Sequence, residues 1–340
     1  MPLLTPLRVA VVGAGAFGRN HLRVYRELQQ SGSPVALAAI VEPDPSLAAQ
    51  LLSEYSIPVF NSVAECLAQL HAGELQLDAA SICVPTLQHA SVASDLVRAG
   101  LDLLIEKPFA STLEQADHLI ELARAHGRIL QVGHLERFNP AVSAIAPYLT
   151  LPMFFEAHRL SIFTLRSLDV DVVLDLMIHD LDVVLALVDS PVREVRAVGL
   201  PVLSAKVDIA NVRVEFQSGC VANFTASRVS TERVRKLRFF QPHQYISIDY
   251  ARQDALLIDL AATGTTSAHP SPGLGISKLP VPPGEPLRIE IESFLHSVRT
   301  RALPHVTGQQ GRAALALALE INRCIADHSS RAGLDRFIKF

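Results

Sequence analysis

Cysteine is scarce in this 340-residue chain: Cys66, Cys83, Cys220 and Cys324 stand far apart and form no CxxC pair. That spacing argues against a zinc ribbon or a disulfide framework and fits a reducing cytoplasm. No uninterrupted apolar run reaches about 18 residues, so no membrane-spanning helix is expected. The opening stretch MPLLTPLRVAVVGAG lacks a basic segment followed by a long apolar one, so no secretory signal is expected. Charge of one sign is not in excess either. A formal net charge of −4 provides no general attraction to nucleic acid or an anionic membrane, and neither is expected as a partner.

What remains is a composition ordinary for a soluble globular protein, 49% hydrophobic and 19% charged. The length suggests two domains. In the first third, short apolar runs at 7–13, 35–42, 78–85 and 101–106 alternate with amphipathic stretches such as RNHLRVYRELQQ and HASVASDLVRAG. Near-continuous apolar strands alternating with helices point to a parallel sheet covered on both faces. Residues 111–127 carry a helix signal, with Ser111 and Glu114 as a capping box and Gly127 as the stop. From about residue 129 the texture changes. After a mostly apolar helical stretch around 170–187, several segments between 192 and 260 alternate with period two, as antiparallel strands do. Residues 262–286 are rich in Thr, Ser, Pro and Gly and read as a long loop, and two helices close the chain. The expected fold is therefore α/β: a Rossmann domain (doubly wound parallel sheet) at 1–128, then an α+β domain at 129–340 with a large, open, mainly antiparallel sheet.

The stretch VAVVGAGAFGRNH places Gly13, Gly15 and Gly18 as GxGxxG between a strand and a helix. The first glycine permits the tight turn, the second lets backbone approach a pyrophosphate, and the third allows close helix–strand packing. Glu42 ends the second strand, where a carboxylate accepts hydrogen bonds from an adenosine ribose. It would repel a 2′-phosphate, and VEPDPS holds no Arg or Lys to receive one. NAD is favoured over NADP.

The motifs GxGxxG, CVPTLQHASVASDLVRAGLDLLIEKPFA, GHLERFNPA and DLMIHDLD occur in that order, with GEPLRIEIESFLHSV near the end. Together they resemble the Gfo/Idh/MocA oxidoreductases over nearly the whole chain. The resemblance implies a Rossmann domain plus an α/β domain whose open sheet commonly makes dimers or tetramers, and hydride transfer between NAD(P) and sugar or polyol hydroxyls. RSLDVDVVLDLMIHDLD with GHLERFNPA resembles the branch that oxidises the 3-hydroxyl of UDP-N-acetylglucosamine before an aminotransferase acts, on the way to lipid A with amide-linked chains.

Oxidising a secondary alcohol needs a base for the hydroxyl proton and a cation to steady the developing alkoxide. Lys107 of the EKP stretch follows a parallel strand, where ligands of open α/β sheets bind, and Pro108 biases it towards an extended backbone. The candidate base is His179, with an ordinary pKa of about 6.5. Asp171, Asp175, His179 and Asp182 fall on one stripe of a helix that is otherwise apolar. By the resemblance His179 takes the proton, and Asp175 binds a substrate hydroxyl or orients the imidazole. Asp171, Asp180 and Asp182 are expected to be solvated or capping charges. A metal on this stripe lacks an obvious third or fourth ligand, so none is expected. The resemblance adds Ala16, Phe17, Pro85, His89, Glu106 and His134 as cofactor contacts. It places Arg137 and Asn139 at the substrate, with a structural ion pair as the equal alternative for Arg137, while Arg159 and Arg166 are expected to meet a diphosphate. The basic segment SRVSTERVRKLRFF reads first as a solvated strand face, with phosphate binding as the other possibility.

Two other functions stay open at this point. One is a dehydrogenase of a free polyol, inositol or simple sugar. The other is a dinucleotide sensor without turnover, which would have no use for Lys107 and His179.

Overall fold

The computed structural model describes residues 5–164, 170–261 and 273–334. The chain forms two compact units. The first runs to Leu135 and takes in Glu285–Arg312; the second comprises Glu136–Gly284 and the chain from Ala313 onwards. A single division at residue 128 does not contain this return of the chain to the first unit.

In the first unit come β1 (Leu7–Val12), α1 (Gly18–Gln30), β2 (Val35–Val41), α2 (Pro45–Tyr55), β3 (Val59–Phe60) and α3 (Val63–His71). They are followed by β4 (Ala79–Ile82), α4 (Thr86–Arg98), β5 (Asp102–Glu106), α5 (Leu113–Ala125) and β6 (Leu130–Gly133). The six strands form one parallel sheet in the order β3-β2-β1-β4-β5-β6. Strands β4 and β5 are buried along their whole length, which is why their sequences, AASI and DLLIE, do not alternate between apolar and polar residues. The helix cap of α5 differs from the expected one. Thr112, not Ser111, accepts from the Gln115 amide, while the Gln115 side chain accepts from the Ser111 amide. Thr-x-x-Gln satisfies the same orphan donors one residue later. Gly127 closes the helix with φ +61°.

The second unit contains α6 (Pro140–Ile145), β7 (Phe154–Ile162), a π-helical turn (Val173–Met177) leading into α7 (Ile178–Leu187), β8 (Val192–Leu200), β9 (Ile209–Phe216) and β10 (Val221–Ser230). It continues with β11 (Val234–Gln241), β12 (Gln244–Asp249), β13 (Asp254–Ala261) and β14 (Gly273–Lys278). These build an eight-stranded sheet, β14-β13-β12-β11-β7-β10-β9-β8. Only β7 and β10 pair in parallel; the other neighbours are antiparallel. Strand β14 lies inside the stretch expected to be loop, its register with β13 set by pairs such as Leu256–Lys278. Its two glycines hide the alternation that marks a strand.

One face of this sheet is buried. Phe155, Ala157, Val212, Val214, Phe224, Leu237 and Phe239 pack there with Val172, Ile178, Leu181 and Val184 of the α7 region. Helix α9 (Gly308–Ala332) contributes Leu317, Ala318 and Ile321 from the part beyond Ala313. On the opposite face a row of apolar side chains crosses five strands: Phe154, Phe240, Tyr245, Ile258 and Ile276 are successive register partners. Ile276 on that row is 63% exposed.

Helix α8 (Pro286–Thr300) belongs to the first unit's core. Its Leu287, Ile291, Phe294, Leu295 and Val298 follow helical spacing and bury against Leu22, Tyr25 and Leu28 of α1. Fully burying one such leucine or phenylalanine contributes roughly 1.5–3 kcal/mol. Among the described residues, no helix is long and apolar enough to cross a membrane.

Candidate functional site

Each of the three glycines after β1 answers to a different constraint. Gly13 has φ +86°, and its amide donates to Val41 O at 2.8 Å. A Cβ there would stand 2.8 Å from Val84 N, and one on Gly18 would stand 1.9 Å from Gly13 O. Both positions exclude a side chain because backbone is in the way. A Cβ on Gly15, in contrast, would meet nothing within 4 Å. Packing within the chain does not demand that glycine, whereas close approach by a ligand would. Helix α1 opens here without a side-chain cap and without an acidic residue in its first turn, leaving its positive end to an anion. Ala16 and Phe17 are exposed in this loop.

Glu42 at the end of β2 is almost fully buried. Its Oε2 accepts from the Ala14 amide at 2.8 Å, and its Oε1 accepts from Asp44 N at 3.0 Å. The carboxylate is thereby fixed beside the glycine loop. These features fit NAD: a backbone cradle with room at Gly15, an uncapped helix end and an anchored carboxylate with no neighbouring cation in VEPDPS.

At the ends of β4 and β5 two histidines organise the backbone. His21, on the buried side of α1, lies with Nε2 3.0 Å from Glu106 Oε1. Gly133 leaves room for this carboxylate, since a Cβ there would sit 2.8 Å from Glu106 Oε1. His89 was expected to touch the cofactor. Instead it is buried, with Nδ1 2.9 Å from Pro108 O and Nε2 2.9 Å from Val84 O. Burial pushes its pKa down, against the pull of the two carbonyls. Its ring ties the turn after β4 to the turn after β5. Pro85 is exposed at the start of α4, and Lys107 is half-buried and joined to Pro108 by a cis peptide bond. His134 is buried just after β6, its amide donating to Val132 O at 2.9 Å. His21 was not singled out in the sequence; its signal was a histidine one turn beyond Gly18, on the apolar side of α1.

In the second unit the DLMIHDLD stretch is not a plain α-helix. The π turn Val173–Met177 shifts the phase of the expected stripe before α7 begins. Asp171 caps it: Oδ1 accepts from Val173 N at 2.9 Å and Leu174 N at 3.0 Å. Asp175 and His179 are both half-buried. Asp180 and Asp182, expected to be solvated, are each 2% exposed. Asp180 takes two bonds from Arg159, at 2.7 and 3.0 Å. Asp182 lies 3.7 Å from Arg137, and burial pushes its pKa up to about 7, with Arg137 pulling the other way.

The arginine and asparagine expectations divide. Arg137 is mostly buried beside Asp182. Arg159 does not face a diphosphate. It is buried, its Nη1 also donates to Glu136 Oε1 at 3.0 Å, and its guanidinium stands over the Tyr250 ring. Burial opposes its charge, but the two carboxylates outweigh that and hold its pKa above the usual value. Asn139 is likewise a scaffold residue: it caps α6 through Ala141 N and donates to Glu136 Oε2 and Tyr250 O. Arg166 lies outside the described residues. Among the described residues no group of three or more His, Cys, Asp or Glu is arranged to hold a metal ion.

Comparison with known proteins agrees with this architecture. Residues 7–134 match the oxidoreductase family with an NAD-binding Rossmann fold, and residues 152–242 match the GFO/IDH/MocA C-terminal domain. A UDP-N-acetylglucosamine 3-dehydrogenase from Acidithiobacillus ferrooxidans is 35% identical over 316 residues, 93% of this chain and 96% of its own. An inositol 2-dehydrogenase from Acidothermus cellulolyticus is 28% identical over 203 residues, 56% of each chain. A solved structure of the Acidithiobacillus ferrooxidans enzyme superposes with a TM-score of 0.84 at 32% identity, covering 95% of this chain and 98% of that one. The chain belongs to the Gfo/Idh/MocA family of NAD-dependent oxidoreductases.

Proposed function

We propose that the chain is a dehydrogenase of a sugar hydroxyl, and in particular of the 3-hydroxyl of a UDP-N-acetylhexosamine. The observation that carries this reading is the end-to-end likeness to an enzyme of that name, 35% identical across 93% of the chain. The likeness to an inositol 2-dehydrogenase spans only 56%. That second likeness keeps a free polyol or simple sugar as the other reading.

NAD, when bound, supplies the acceptor for the hydride that leaves the carbinol carbon. Gly13, Gly15 and Gly18, with Ala16 and Phe17, cradle its diphosphate, Glu42 holds the ribose, and Pro85 and His134 line its remainder. His179 takes the hydroxyl proton and Asp175 holds a substrate hydroxyl or the imidazole. Lys107 places its cation at the oxygen where charge develops, an arrangement worth about a hundredfold to a thousandfold in rate. Arg137 meets an anionic group of the substrate. The 3-ketone formed is what an aminotransferase would consume on a route to amide-linked lipid A, which suits a cytoplasmic enzyme. Proton and hydride leave the same H–C–O–H unit, so the oxidation balances without a metal.

The apolar row Phe154, Phe240, Tyr245, Ile258 and Ile276 supports a homo-oligomer joined through the open sheet face. Light scattering on the purified protein would give a dimer or tetramer; a monomer at micromolar concentration removes this part of the reading.

The function itself is tested by incubating the protein with NAD and a panel of UDP-sugars and free polyols while following NADH absorbance. Turnover with UDP-N-acetylglucosamine supports the proposal. Turnover confined to inositol or free sugars overturns it.

A further inference from the structure

Antiparallel pairing of β11 with β7 sets Arg235 directly opposite Arg159. The same face continues inwards as Leu237 opposite Ala157 and Phe239 opposite Phe155, both pairs buried in the core. The two arginines therefore end the helix-covered face of the sheet, where Arg159 also meets Asp180, the neighbour of His179. Directly opposed side chains have Cβ atoms about 4.5–5.5 Å apart, and like charges in that position repel.

Arg159 holds its counter-charges at hydrogen-bonding distance, whereas Arg235 feels the same two carboxylates, Glu136 and Asp180, only at longer range. Both oxygens of Asp180 accept from Arg159, while Glu136 gives one oxygen to Arg159 and the other to Asn139. Among the described residues, Arg233 and Arg235 take part in no ion pair or side-chain hydrogen bond. Desolvation and the repulsion of Arg159 and Arg233 outweigh the attraction of Glu136 and Asp180 and hold the Arg235 pKa below the usual arginine value, although the residue reaches the surface. The exposed Arg235 thus offers a planar fork of N–H donors that no group among the described residues takes up, with a second exposed cation, Arg233, two residues earlier.

We infer that Arg235, assisted by Arg233, is the phosphate-binding element of the substrate site and receives the diphosphate of a nucleotide-linked sugar. The inference rests on the nucleotide-sugar reading and deepens it. A guanidinium matches phosphate oxygens bidentately, and an incoming anion relieves the repulsion between the paired arginines. Arg159 is the fixed member of the pair and Arg235 the one left for ligand.

The test compares the unsubstituted protein, R235Q, R235K and the double variant R233Q/R235Q, all in the presence of NAD. Calorimetry reads the Kd for UDP, and steady-state kinetics reads KM and kcat for the UDP-sugar. R235Q is expected to raise both UDP Kd and UDP-sugar KM by about 10- to 100-fold, with kcat and NAD affinity little changed. R235K should recover part of the loss, and the double variant should lose more. The Tm of R235Q should be equal or higher, because the substitution removes a like-charge pair; a purely structural arginine would lower it. Unchanged UDP Kd and KM in the double variant, with UDP-sugar turnover intact, overturn this inference alone. A protein that does not bind UDP and oxidises only free sugars overturns the nucleotide-sugar reading and this inference with it.

Discussion

His21 and Glu106 are joined side chain to side chain at 3.0 Å, with the histidine fully buried on α1 and the carboxylate one residue before Lys107. The pair couples the helix that opens the glycine loop to the strand end that carries the lysine. Replacing His21 with Ala strands a buried carboxylate, and the loss of stability is expected to be about 1–3 kcal/mol by urea unfolding. NADH formation should fall as well, since Lys107 loses its neighbour's anchor. His21→Gln keeps a donor and should restore part of both. Equal stability in His21→Ala would show that the contact holds nothing in place.

The three loop glycines should respond differently to alanine. Gly13→Ala and Gly18→Ala force a Cβ against backbone, 2.8 Å from Val84 N and 1.9 Å from Gly13 O, so both should lower Tm. Gly15→Ala meets nothing in the chain, so its Tm should be unchanged while NAD affinity drops. Fluorescence titration with NADH alongside thermal unfolding separates the two classes. A Gly15→Ala protein that binds NADH normally would contradict the cradle.

Asp182 makes stability depend on pH. Its folded pKa of about 7 lies above the ordinary value of about 3.9, chiefly because it is buried. Between those values the folded chain keeps a proton that the unfolded chain has released, so stability falls as pH rises from about 4 to 7. Asp182→Asn removes this contribution. Relative to the unsubstituted protein, the variant should gain on the order of 2–3 kcal/mol between pH 4.5 and 7.5. Parallel stability profiles for the two proteins would rule out Asp182 as the titrating group.

Rates should separate the two proposed chemical groups from their scaffold. His179→Ala is expected to lower kcat by about 10²–10⁴-fold, and Lys107→Met by about 10²–10³-fold. Both should retain NAD affinity and Tm. Unchanged turnover in His179→Ala would mean that another group takes the proton.

Much of the fold was legible in the residues, for reasons that can be named. Strands β4 and β5 are buried on both faces and so show no apolar–polar alternation, while β9 and β10 alternate because one face is covered. β3 was not legible, since two residues carry no period. The cap of α5 slipped by one position because adjacent Ser and Thr can serve equally, and only backbone geometry chose Thr112.

The site divides in the same way. Residue type and spacing by themselves pointed to the glycine loop and the acidic end of β2, because each acts through neighbours close in sequence; Lys107 and His179 were singled out through the family resemblance of the motifs that carry them. Only the tertiary structure decided which charges have partners. Arg159 finds Glu136 and Asp180 at separations of 23 and 21 residues, Asp182 finds Arg137, and His89 finds carbonyls on two separate turns. Arg235 is exposed, as a solvated strand face requires, and strand register sets it opposite the buried Arg159. A buried charge must be neutralised by whatever the fold brings beside it. That pairing is set by strand register and helix packing, which a linear motif does not encode.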